Sequence, residues 1–109
     1  MTELGNDWIT ACDESSIAKN DVARFDYLDG TYAVVRTSDG TCVVMDGLCT
    51  HGKAHLGEGF VDGTTIECPK HNGRFNVLTG EAVASPVRVA TSVYETRVHN
   101  SKIEFRLLK

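Results

Sequence analysis

Within one short stretch, CTHGKAHLGEGFVDGTTIECPKH, the chain sets Cys49-Thr50-His51 at one end and Cys68-Pro69-Lys70-His71 at the other. Two thiols and two imidazoles paired in this way demand that two separate loops meet around whatever the four groups hold. Structural zinc is the plainest occupant, since two Cys and two His complete a tetrahedral shell. The spacing argues against it. Zinc pairs typically leave two to four residues between cysteines and three to five between histidines, so that both side chains turn onto one ion. Only Thr50 separates Cys49 from His51. In extended backbone, residues two apart point the same way but stand roughly 6.5 Å apart at Cα, which suits two adjacent metal ions.

A [2Fe–2S] cluster supplies two such ions, and in its Rieske form one iron takes two Cys and the other two His. Thiolate and imidazole both suit iron. The surroundings agree with a wrapped anionic centre: between Gly47 and Gly80 stand seven glycines and three of the four histidines. Glycine at that density lets backbone amides approach a compact group closely.

The rest of the chain reads as β structure. VARFDY (22–27) and TYAVVR (31–36) flank Asp29-Gly30, a hairpin signal, and TCVVMD (41–46) follows a second turn at Asp39-Gly40. ATSVYETRV (90–98) and KIEFRLL (102–108) alternate apolar with polar residues across His99-Asn100-Ser101, as a half-buried antiparallel pair does. WITA (8–11) is expected to close the sheet beside one of them, and DESSIAK (13–19) to form a helical turn. Between Gly47 and Gly80 loops are expected to dominate, with brief strands at GFVD and TTIEC. At 109 residues the chain suits one domain, 1–109, with residues 47–86 as its cluster-binding part.

Residues 1–50 carry nine acids against three bases, and 51–109 six against eight. An acidic half disfavours nucleic acid, whose phosphates call for Lys and Arg. No apolar run approaches the roughly 18 residues of a membrane span. The N-terminal residues carry no export signal, so a cytoplasmic protein is expected, and there cysteines serve as ligands or buried fillers more often than as disulfides. Cys12 and Cys42, in WITAC and TCVVM, read as core fillers.

Cys-Thr-His, sixteen residues, then Cys-Pro-x-His followed by NGRF and TGEA resembles the Rieske ferredoxins of multicomponent aromatic-ring-hydroxylating dioxygenases, over essentially the whole chain. The resemblance implies a small antiparallel β sandwich or barrel with the cluster at a loop-rich tip and a loop around Ser85-Pro86 covering it. It implies that Cys49 and Cys68 hold the inner iron and His51 and His71 the outer one, and that electrons leave through the imidazoles. The implied partners are a flavin-containing ferredoxin reductase and a terminal Rieske oxygenase, both met transiently, with a monomer as the simplest state.

Rieske proteins that oxidise quinols carry, by the same resemblance, a Ser and a Tyr hydroxyl after the second His and a disulfide between the loops. Here Gly73 and Phe75 stand at the hydroxyl positions, and Ala54 and Lys70 at the disulfide positions. Fewer hydrogen bonds to the sulfurs mean a lower potential, expected on the order of −150 mV. After the cluster takes its two histidines only His55 and His99 remain, too few and ill placed for the two-His, one-carboxylate iron of an oxygenase. The chain is therefore expected to carry electrons rather than catalyse. A zinc-binding interaction module and the Rieske subunit of another oxidoreductase, such as a nitrite reductase, remain the alternatives.

Other residues have plainer readings. His55 is expected to be a solvated loop histidine, the alternative being a residue near the exposed iron that tunes contact with a partner. Lys53, Lys70 and Arg74 form a basic docking rim or merely solvate the loops. Trp8 packs at the core or an edge, and Thr50, Pro69 and Pro86 shape loops.

Overall fold

The computed structural model describes residues 8–50, 54–70, 72–85 and 87–107. Among the described residues ten strands form two antiparallel sheets. The larger contains β1 (Ile9–Asp13), β2 (Asp21–Tyr27), β3 (Gly30–Arg36), β4 (Cys42–Asp46), β9 (Val93–His99) and β10 (Lys102–Arg106), in the order β1-β10-β9-β4-β3-β2. The smaller contains β5 (Phe60–Asp62), β6 (Thr65–Glu67), β7 (Arg74–Asn76) and β8 (Ala82–Ala84), in chain order.

The apolar runs in β3 and β4 explain how the two sheets meet. A strand with one wet face alternates apolar and polar residues, whereas one buried on both faces runs apolar throughout. On β3, Ala33 and Val35 enter one core and Tyr32 and Val34 the other; on β4, Val43 and Met45 separate from Val44 in the same way. The second core closes inside the large sheet against Ile17, Ile103 and Phe105. The first lies between β3, β4 and the small sheet, and both Cys49 and Cys68 belong to it. The central strands of the large sheet thus serve as the floor under the loops.

The expected hairpins form, with shifts at their turns. Tyr27 pairs with Gly30, so the tight turn is Leu28-Asp29 and the positive φ falls on Leu28 (54°) rather than on the glycine. Gly30 is required for a different reason: a Cβ there would lie 2.2 Å from the Tyr32 hydroxyl. Across the last hairpin His99 pairs with Lys102, leaving Asn100 and Ser101 as a two-residue turn with φ of 53° and 65°, the left-handed pair such turns require. Residues 9–13 do close the sheet against β10, and Asp13 forms an ion pair with Lys102. The expected helical turn is a single 3₁₀ turn at Glu14–Ser16.

Loops dominate between Gly47 and Gly80 among the described residues, as expected, with β5 and β6 in the expected stretches; β7, and β8 beyond Gly80, complete with them a sheet that was not expected. Three-residue strands carry too few alternations to register as a period, and their place is set by Val61, Ile66 and Phe75 entering the first core. Cys12 and Cys42 are half-buried fillers at the border of the second core.

Trp8 packs as expected, between the Arg97 and Arg106 guanidinium groups at 4.1 and 4.2 Å from the ring centroid. Each such contact stabilises by roughly 0.5–1 kcal/mol at a partly exposed site. Trp8→Ala is therefore expected to lower stability by about 1–2 kcal/mol, measured as a lower urea midpoint at unchanged slope. An unmoved midpoint contradicts the packing role.

Candidate metal centre

The two cysteines open two loops of the same construction. Leu48 bridges His55, and between them residues 49–54 are closed by Cys49 N–H donating to the Ala54 carbonyl at 3.0 Å. Glu67 pairs with Arg74, and between them residues 68–73 are closed by Cys68 N–H donating to the Gly73 carbonyl at 2.7 Å. Each cysteine follows the last paired residue of its stem and bonds to the fifth residue after it. In the second loop Asn72, at φ 61°, also donates its N–H to the Cys68 carbonyl at 3.2 Å. Asn tolerates the left-handed region better than other non-glycine residues.

Both cysteines are buried, Cys49 to 5% exposure and Cys68 to 3%, in one core with Leu56, Phe75 and Val87. Two thiols entering one apolar pocket from equivalent places fit the sulfur side of a [2Fe–2S] centre. His51 and His71, expected on the outer iron, lie outside the described residues, as do Lys53 and Pro86. Among the described residues no group of three or more His, Cys, Asp and Glu converges on one point.

The segment after position 86 touches both loops. Thr50 Oγ1 donates to the Val89 carbonyl at 2.6 Å. On the other loop a Cβ at Gly73 would come 2.6 Å from Val87 Cγ1, so the missing side chain is what admits Val87. Phe75 is fully buried. Gly73 and Phe75, which lack the hydroxyls expected of a quinol-oxidising protein, thus give a surface covered by a valine methyl and a buried phenyl ring.

His55 is not the solvated residue expected. It is buried, its Nδ1 accepts from Gly57 N–H at 2.8 Å, and its Nε2 lies 2.8 Å from Thr31 Oγ1. Burial and the Arg24 guanidinium hold its pKa below the usual 6.5, against the opposing charges of Asp26 and Glu58. Nothing local in GKAHLGEG announces this, because the partner, Thr31, lies 24 residues earlier. Arg74 is constrained at the mouth of the second loop. It pairs with Glu67 at 2.9 Å, which offsets its charge and leaves exposed Lys70 as the described basic residue of the supposed rim without that constraint. Thr50 ties loop to loop, consistent with the shaping role expected of it.

The stem leading into the first loop is fixed at the end of β4. Tyr94 Oη donates to Asp46 Oδ1 at 2.5 Å, and Asp46 N–H donates to the Ser92 carbonyl at 2.9 Å. Burial first, then the Asp46 carboxylate, push the Tyr94 phenol pKa far up, so it remains a donor throughout the physiological range.

The chain is similar to known proteins over most of its length. Residues 7–95 match the family model described as the Rieske [2Fe-2S] domain. The chain is 35% identical over 96 residues to the naphthalene 1,2-dioxygenase system ferredoxin component of Pseudomonas putida, covering 88% of this chain and 91% of the relative. It is 32% identical over 107 residues to the 2,4-dinitrotoluene dioxygenase system ferredoxin component of Burkholderia sp. (strain RASC), covering 95% and 99%. Among solved structures it is similar to the ferredoxin-sized chain of a complex of reduced oxygenase and oxidized ferredoxin in carbazole 1,9a-dioxygenase. The TM-score is 0.87 at 35% identity, covering 94% of each chain.

Proposed function

The chain belongs to the Rieske [2Fe–2S] domain family, and from that premise we propose that it is the ferredoxin of an aromatic-ring-hydroxylating dioxygenase system. It carries electrons, has no catalytic site of its own, and delivers to a terminal oxygenase. We assign Cys49 and Cys68 to the inner iron and His51 and His71 to the outer one. The observation that carries the reading is the equivalent closure of the loops 49–54 and 68–73, each of which buries its cysteine in the same apolar core.

When bound, the cluster supplies a one-electron couple. The chain's residues set its conditions. Leu56, Phe75 and Val87 keep water from the thiol side, and a low-dielectric wall opposes an added negative charge unless hydrogen bonds offset it. Gly73 and Phe75 offer no side-chain hydroxyl to do so. A potential on the order of −150 mV follows, suited to accepting from a flavin reductase and not from a quinol.

The finer reading adds a flavin-containing reductase as donor, a cytoplasmic setting, a monomer, and one domain over 1–109 with residues 47–86 as its cluster-binding part. Among the described residues no helix is long and apolar enough to cross a membrane. Leu48 and Val89, 56% and 64% exposed beside the first loop, offer an apolar contact for a transient, partly polar interface. The test is reconstitution: a ring-hydroxylating terminal oxygenase given NADH and a flavin reductase should hydroxylate its substrate only when this chain is added. Equal turnover without the chain contradicts the proposal, as does a chain reduced by the reductase but never reoxidised by any such oxygenase.

A further inference from the structure

Gly57 N–H donates to His55 Nδ1, so that nitrogen carries no hydrogen and the ring's single hydrogen sits on Nε2. Nε2 then donates to Thr31 Oγ1, and Thr31 Oγ1 in turn donates to Asp26 Oδ1 at 2.5 Å. Every direction in this chain is set by its ends: a backbone amide at one, a carboxylate at the other. Thr31 hydrogen bonding, with Arg24 as the second partner, holds the Asp26 carboxyl below the usual range.

The chain reaches from β2 through β3 to the stem of the first loop. Gly47 N–H donates to the Thr31 carbonyl at 2.9 Å, and Leu56 N–H to the Gly47 carbonyl at 2.6 Å. A Cβ on Gly47 would lie 2.4 Å from His55 Nε2 and 3.0 Å from the Thr31 carbonyl. Both stems of the loop carrying Cys49 therefore meet at Thr31.

We propose that His55 is a positioning residue that, through Thr31 and Asp26, locks the Cys49 loop onto the β2–β3 hairpin in the neutral state of its ring only, so that the grip on the cluster weakens in acid. A second proton would have to enter at Nδ1, where it faces the Gly57 N–H, and the side-chain cap of the 3₁₀ turn Leu56–Glu58 is lost. Asp26 and Glu58 favour that proton, while Arg24 and burial oppose it; Lys70, from the second loop, lines the same groove. The sign is that of a depressed histidine: the lock is fully present above the ordinary pKa of 6.5 and is lost as pH falls through the depressed pKa below it.

This inference rests on the cluster reading above. Its test follows the half-time of cluster loss, read as bleaching of visible absorption under an iron chelator, from pH 8 to pH 5 in the holoprotein. Thr31→Val, which removes only the relay hydroxyl, should shorten the half-time at pH 8 roughly 2- to 10-fold, and Thr31→Ser should restore it. His55→Gln cannot titrate, so the ratio of wild-type to variant half-times should fall towards one below about pH 6.5. A ratio constant across the range, or Thr31→Val matching Thr31→Ser, overturns the role of His55. A wild-type chain that binds no cluster overturns the reading beneath it as well.

Discussion

Cys49→Ser and Cys68→Ser should each yield a colourless protein whose iron falls from two per chain towards none. Both thiols are buried at equivalent positions of the two loops and belong to one apolar core. Serine nearly matches the volume, but its hydroxyl is a hard oxygen with a high pKa in a site that calls for a soft thiolate. The fold should survive, because the β3 and β4 floor and the small sheet are held by other apolar residues of the same core. Cys12→Ser and Cys42→Ser are the matched controls. These cysteines pack against the second core, so both variants should keep their iron. Iron and acid-labile sulfide analysis with visible absorption reads all four. Full iron in Cys49→Ser, or loss in the two controls alone, contradicts the assignment.

Phe75→Ala should cost about 3–5 kcal/mol, the largest effect of a single truncation in the small sheet. The ring is fully buried, faces Ile66 on β6 and Ala82 on β8, and packs in the core that holds both cysteines. A domain of this size has typically about 5–15 kcal/mol in all, so the loss is a large share. Phe60→Ala supplies the contrast: its ring sits on the outer face of the same sheet at 64% exposure, and its removal should change stability by no more than about 0.5 kcal/mol. Urea unfolding of the holoprotein and of the metal-free protein separates the packing loss from any loss of cluster. A Phe75→Ala cost below about 1 kcal/mol in both forms contradicts the shared core.

How much of this was legible before the fold was known depended on how local each signal was. The Cys49 and Cys68 pairings with their neighbouring histidines lie within a few residues, and the single residue between Cys49 and His51 argues for two metal ions rather than one. The unbroken apolar runs of β3 and β4 were equally visible. Their meaning, burial against two cores at once, needed both sheets. The positive φ at Leu28 was hidden by the glycine two positions on, which serves the Tyr32 ring instead. Glu67 and Arg74 pair only because the loop between them turns the chain back through one register. His55, which reads as a solvated loop residue, departs furthest: its donor, acceptor and steric partners come from Gly57, Thr31 and Gly47, and only the pairing of β3 with β4 brings Thr31 and Gly47 to the loop.

The account's central claim is a Rieske cluster of low potential in an apolar setting. It is tested most directly by a redox titration followed by electron paramagnetic resonance, at neutral and at alkaline pH, on protein purified without added metal. The predicted result is the rhombic low-temperature signal of a reduced Rieske centre with a midpoint on the order of −150 mV that hardly moves between the two. Absence of that signal, or a midpoint well above zero that falls as pH rises, contradicts it.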